Sequence, residues 1–143
     1  MEATIAKIKK NSTAEIWVNL RDFQGMQFVD IREHYLDRDS REWRPTKKGI
    51  MVQPKFLPQV IDGLQALQNV SDLGTVATIT KSSREEIQVG YREFGKFRYG
   101  EIRMWYSEGD GRKPSPKGVT FRLDLMDRLA EALRGAEDQL EEA

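Results

Sequence analysis

The sequence predicts an α+β protein built from two β-β-β-β-α modules. They pair within one chain as an intramolecular pseudo-dimer, with the helices packed together and the sheets exposed. Three observations predict it: an internal repeat, period-two alternation of apolar residues in the first part of each repeat, and helical spacing at its end. Thr4-Ile-Ala-Lys-Ile-Lys-Lys10 aligns with Thr75-Val-Ala-Thr-Ile-Thr-Lys81 at an offset of 71 residues, 4 to 75. The same offset sets EIWVNLRDF (15–23) on EIQVGYREF (86–94) and DIREHY (30–35) on EIRMWY (101–106). After two residues drop out, RPTKKGI (44–50) matches KPSPKGV (113–119). An ordered series of matches is the mark of duplication, with modules expected at 1–73 and 74–143 and a short apolar linker over Gln68 to Leu73.

Each element follows from its residues. TIAKI and TVATI read as short strands rich in β-branched side chains. In the second strand Ile16, Val18 and Leu20 alternate with Trp17, Asn19 and Arg21, and Ile87, Val89 and Tyr91 alternate with Gln88, Gly90 and Arg92. Gln24-Gly25 and Gly95-Lys96 suit tight turns into a third strand that carries Val29 and Ile31, or Ile102 and Met104, inward. Charged loops are expected at LDRDSREWR and SEGDGRK, then an edge-like fourth strand in KKGIMV or PKGVTF. Phe56, Val60, Leu64 and Leu67, and later Met126, Leu129, Leu133 and Leu140, recur at helical spacing. Pro58 would remove a backbone donor from a helix opened by Pro54, which predicts a start near Pro58 or a kink there. A four-stranded sheet with one helix covers its apolar face poorly, and tethering two such modules makes their association intramolecular.

Composition narrows the function. The chain has 143 residues, no cysteine and one histidine, His34. Disulfides and thiolate or multi-histidine metal sites are thereby excluded. No apolar run approaches the roughly 20 residues of a membrane span, and MEATIAKIKK lacks the apolar stretch of a secretory signal. The expectation is an intracellular protein without membrane partner: cytoplasmic and nucleoid-associated in a bacterium, nuclear in a eukaryote. Net charge is zero, with 23 basic and 23 acidic residues, which taken alone argues against nucleic acid. Its distribution argues otherwise. Residues 86–122 hold eight basic against five acidic side chains, and residues 123–143 hold two basic against seven acidic. A polyanion meets a surface, not a sum.

With the apolar strand positions committed to a core, the opposite faces carry Trp17, Arg21, Phe23, Phe28 and Arg32, then Arg44, Lys47 and Lys48. The second copy offers Arg92, Phe94, Tyr99, Arg103 and Trp105, then Lys113 and Lys117. Rings among cations suit a single strand of nucleic acid: bases stack at about 1–3 kcal/mol each while cations follow the phosphates. The blander alternative is cross-strand ion pairing and aromatics that cover the core edge. Asp30 and Glu101, beside Arg32 and Arg103, are expected to orient those arginines. PTKKG (45–49) and PSPKG (114–118) set a lysine before a glycine at the same place in both copies.

The series RDF, DIREHY and WRPTKKGI before a short amphipathic helix resembles the C-terminal domain of the transcriptional coactivator family called Positive Cofactor Four. The resemblance covers nearly all of the first copy and, more distantly, the second through REF, EIRMWY and KPSPKGV. It implies helix-mediated pairing and single-stranded DNA held on strand faces. Carried over by motif, the site residues are Arg21, Phe23, Arg32, Tyr35 and Lys48 in the first copy. Arg92, Phe94, Arg103, Tyr106 and Lys117 are their counterparts, with Lys47 added beside Lys48. His34 or Trp105 would replace Tyr35 or Tyr106 if a bulge shifts the face. Three features depart from the family: Ala14-Glu15 and Glu85-Glu86 stand where basic residues are usual, Pro116 stands where the first copy has Lys47, and the second copy lacks the Glu42-Trp43 pair.

The expected function is non-enzymatic binding of single-stranded DNA in transcription, replication or repair, with no cofactor and no metal. A protein-interaction adaptor docking on the transcription machinery, or an RNA binder, are the alternatives, and homodimerisation of the whole chain is left open. No GxxxxGK[ST] phosphate loop or nucleophile–base signature is present. An enzymatic reading would rest on Asp30 and Glu33 as a two-carboxylate nuclease. The acidic C-terminal segment is a candidate to screen the basic face.

Overall fold

The computed structural model describes residues 2–142. Its first antiparallel sheet has the order β1 (Ala3–Asn11), β2 (Ala14–Phe23), β3 (Met26–Leu36), β4 (Trp43–Val52). A short 3-10 turn, Pro54–Phe56, leads into α1 (Leu57–Ala66). The second sheet repeats the order with β5 (Gly74–Thr80), β6 (Glu85–Phe94), β7 (Phe97–Glu108) and β8 (Gly111–Phe121), followed by a 3-10 turn and α2 (Met126–Glu142). The alternating apolar residues face inward: Ile16, Val18, Leu20, Val29 and Ile31 are buried, as are Ile87, Val89, Tyr91, Ile102 and Met104. Each buried Val, Leu or Ile contributes roughly 1.5–3 kcal/mol.

The turns obey their residues. Gln24 and Gly25 both have positive φ (51° and 78°), the type I′ pattern, whereas at Gly95-Lys96 only the glycine does (60°), the type II′ pattern. Both prolines of the first helical segment are accommodated. Pro54 opens the 3-10 turn, and Pro58 falls in the first turn of α1, where a backbone N–H has no intrahelical acceptor.

One expected loop is absent. SEGDGRK is two strand ends around a two-residue turn, because β7 and β8 remain paired out to Glu108 and Gly111 and Gly109 takes φ 59°. LDRDSREWR does contain a loop, residues 37–42, one residue inside the expected N-terminal limit and two inside the C-terminal one. There Arg44 Nε donates to Asp37 at 2.8 Å and the Asp37 N–H to Glu42 O at 2.8 Å.

The helices are exchanged between modules. Helix α1 packs on β5 and β6, α2 packs on β1 and β2, and the two helices touch each other. Gly63 marks how closely α1 approaches: a Cβ there would stand 3.0 Å from both Ala77 Cβ and Val89 Cγ2. Buried side chains of both modules therefore form one continuous core, to which Leu140 near the end of α2 is packed. The sheet edges β4 and β8 lie alongside each other at the centre of the molecule. These reciprocal contacts make the chain an intramolecular pseudo-dimer whose outer sheet faces carry no helix.

Candidate nucleic-acid interface

The outer face of each sheet is a ladder of cross-strand pairs along its central hairpin. In the first module the rungs are Phe23–Met26, Arg21–Phe28, Asn19–Asp30, Trp17–Arg32 and Glu15–His34. In the second they are Phe94–Phe97, Arg92–Tyr99, Gly90–Glu101, Gln88–Arg103 and Glu86–Trp105. Both ladders begin with an exposed apolar tip, pass an arginine beside a ring, and reach a buried carboxylate next to a second arginine. Phe94 and Phe97 are 78% and 77% exposed, the least covered large hydrophobic side chains among the described residues.

The carboxylates organise the arginines, the role expected of Asp30 and Glu101. Asp30 is buried and receives Arg21 Nε at 3.1 Å and Arg32 Nη2 at 3.1 Å. Glu101, also buried, faces Arg92 Nε at 3.4 Å and Arg103 Nε in a short contact. A buried carboxylate needs such partners, and each trio of two guanidinium groups and one carboxylate keeps a net positive charge. Arg32 Nη1 then donates to Thr46 O at 2.9 Å, and Arg103 Nη1 to Ser115 O at 2.8 Å. Both second arginines thus lie across onto the fourth strand.

The lysine–glycine motif explains how they can. Gly49 and Gly118 pair with Arg32 and Arg103. A Cβ on Gly49 would stand 2.5 Å from Arg32 Cζ, and one on Gly118 2.7 Å from Ile102 O. Glycine here leaves room for a guanidinium in one module and for a backbone in the other. The residues before it form the same small turn twice. Lys48 N–H donates to Thr46 Oγ1 and Lys117 N–H to Ser115 Oγ, both at 3.1 Å. Lys47, Lys48 and Lys117 are exposed. Lys47, Lys117 and Lys81 line a cavity of about 440 Å³ between the modules, whose floor includes Ile50, Met51 and Met104. Lys48 approaches Glu33 at 3.8 Å.

Two expected residues are not brought to this face. Tyr35 and Tyr106 have the parity of the core-facing positions and project from the opposite side of the sheet, past the end of the core. His34 and Trp105 share the outer face with the arginines through simple alternation along β3 and β7, whose pairing with β2 and β6 is regular there; the irregularities at this level lie on β4 and β8. That alternation was the signal available in the sequence. Met26 and Phe97, at the tips, escaped sequence reasoning because a residue next to a tight turn has no periodic context. Arg44 and Lys113 are engaged with Asp37 and Glu108.

The nuclease alternative loses its geometry. Asp30 belongs to the outer face, whereas Glu33 has the opposite parity and binds Lys10 Nζ at 2.6 Å. Among the described residues no three His, Asp or Glu side chains gather as a metal site would require. Among the described residues the acidic segment forms the end of α2, and that helix packs on β1 and β2, on the side of the sheet opposite the arginines.

The two outer faces differ in one respect. On the first, Trp17 stacks on His34 with ring centroids 4.0 Å apart and planes within 12°. Lys7 Nζ stands 4.2 Å from the same indole, whose Nε1 donates to Glu15 Oε1 at 2.9 Å. His34 is 3% exposed. This burial lowers its pKa against the opposing pull of its hydrogen bond to Arg32 O. On the second face Gln88 replaces Trp17, and a groove of about 790 Å³ opens over Arg92, Tyr99, Glu101, Arg103 and Trp105.

Residues 10–62, covering most of the first ladder, match the family model described as Transcriptional Coactivator p15 (PC4). A PC4 homolog from Burkholderia pseudomallei is 36% identical to this chain in its orthorhombic crystal form, over 48% of this chain and 92% of that one. The chain belongs to this family. The tetragonal form of the same PC4 homolog is also 36% identical, covering 48% of this chain and 100% of that one, and the TM-scores are 0.46 and 0.45. A Caenorhabditis elegans protein named as an RNA polymerase II transcriptional coactivator is 44% identical over 34 residues. The match spans 24% of this chain and 27% of that protein's length. The PC4 family model stops within α1, so the second module stands outside it.

Proposed function

We propose that this chain is a tandem PC4-type protein that binds single-stranded DNA on its outer sheet faces, acting inside the cell as a cofactor of transcription, replication or repair. The observation that carries the reading is the repeated ladder: two arginines fixed by a buried carboxylate, flanked by rings, on a face that no helix covers. The arginines are pre-oriented, which lowers the ordering cost of gripping phosphates, and exposed rings offer π-faces to unstacked bases. A duplex hides those base faces, which favours single strands.

Fluorescence titration with labelled oligonucleotides tests this. Affinity is expected to fall with salt at a log–log slope of about −0.7 per phosphate contacted. Replacing Phe94 with alanine is expected to cost about 1–3 kcal/mol for the stack lost, and Phe23→Ala does the same wherever the first face is occupied. Absence of binding at low salt refutes the reading. Competition between DNA and RNA of one sequence shows which backbone is preferred.

A further inference from the structure

We propose that the two faces are unequal sites: the second module stacks a base on Trp105, and the first is closed by its own Trp17, which lies where a base would lie. This inference rests on the single-strand reading above.

The aligned positions make the comparison direct. Trp17 corresponds to Gln88, His34 to Trp105, and Lys7 to Thr78 at the offset of the repeat. In the first module the Trp17 indole is enclosed by His34 on one side and Lys7 on the other, and its N–H is tied to Glu15. The cavity remaining beside it is about 280 Å³, reaches from Glu2 to Arg21 along β1 and β2, and includes neither His34 nor Arg32. A base could enter only by breaking a stacked pair and a hydrogen bond.

In the second module the ring at the His34 position is itself an indole, and among the described residues no aromatic ring stacks on it. Trp105 is half-buried and lines the groove with Arg92 and Arg103, and its Nε1, turned into the protein, has no hydrogen-bond partner among the described residues. Arg92 Cζ is 5.6 Å from the ring centroid, near the outer limit of cation–ring contacts. Gly90 creates this arrangement, because a Cβ there would meet Arg92 Cζ at 2.7 Å. Asn19 takes that place in the first module. The substitutions between the repeats thus open one face and fill the other.

The test uses the full chain and oligothymidylates too short to reach both faces. Wild type is expected to show one tight site. Trp105→Ala should weaken it by about 5- to 150-fold, the equivalent of about 1–3 kcal/mol, and Trp105→Phe should recover most of that loss. Trp17→Gln copies a residue already tolerated in the second sheet and should raise the stoichiometry from one strand to two. Two equivalent sites in wild type, or equal losses from Trp105→Ala and Trp17→Ala, overturn the inference and leave the single-strand reading intact. A wild-type chain that binds no oligonucleotide overturns both.

Discussion

At the scale of single residues, the outer faces are governed by what the carboxylates and rings do to their neighbours. Asp30 and Glu101 are costly to bury, and each is stabilised by two arginines; Arg32 and Arg103 also donate to the fourth strand, and Arg92 Nη2 donates to Thr75 Oγ1 at 2.9 Å. His34 poses a different problem, because it lies neutral beneath an indole. A histidine whose native pKa is below its unfolded value contributes stability above the unfolded pKa, near 6.5. That contribution is lost as pH falls through the native pKa, since the unfolded chain then binds more protons. The melting temperature should therefore decline as pH is lowered from about 7 to about 5. His34→Phe keeps a ring under Trp17 and should flatten that decline. An unchanged slope in the variant would assign it to carboxylates.

At the scale of elements, the repeats solve the same packing problem with different pairs. Val29 on β3 faces Val52 on β4, and the corresponding pair on β7 and β8 is Gly100 and Phe121. A Cβ on Gly100 would stand 2.5 Å from Phe121 Cε2, which means the glycine makes space for the ring. Phe121 is 1% exposed and has no room to withdraw. Gly100→Val alone should destabilise the chain by about 1–3 kcal/mol through overpacking, and Phe121→Val alone should also destabilise it by leaving a cavity. The double replacement recreates the first module's pair and should recover part of both losses. A denaturant-unfolding cycle measures the coupling, and strictly additive losses would show that the two residues do not compensate.

At the scale of the whole molecule, stability and function depend on the exchange of helices. Each sheet has its inner face covered by the other module's helix, and the two helices meet. Residues 1–73 expressed alone would leave β1 and β2 without α2. They should either remain unfolded or form a homodimer with a concentration-dependent melting temperature. Sedimentation across a range of concentrations distinguishes these outcomes from a stable monomer, which would contradict the exchanged arrangement. Keeping both helices on the inner side also frees both outer faces at once. That is how one chain can present two ladders and let them diverge.

The amino-acid sequence by itself determined the duplication, the strand alternation, the helical stripes and the assignment of arginines and carboxylates to one face. Those features follow from local periodicity, which fixes the side of the sheet each residue occupies. The alternation placed Trp105 on the outer face, but His34 entered only as a substitute for Tyr35, and motif matching favoured Tyr35 and Tyr106, which project from the other side. Only the tertiary structure decided that SEGDGRK continues a strand pair, that helices are exchanged, and that Trp17 stacks on His34 on one face while Trp105 lines a groove on the other. These outcomes depend on which side chains from distant parts of the chain compete for one volume, and no spacing within a single segment records that competition.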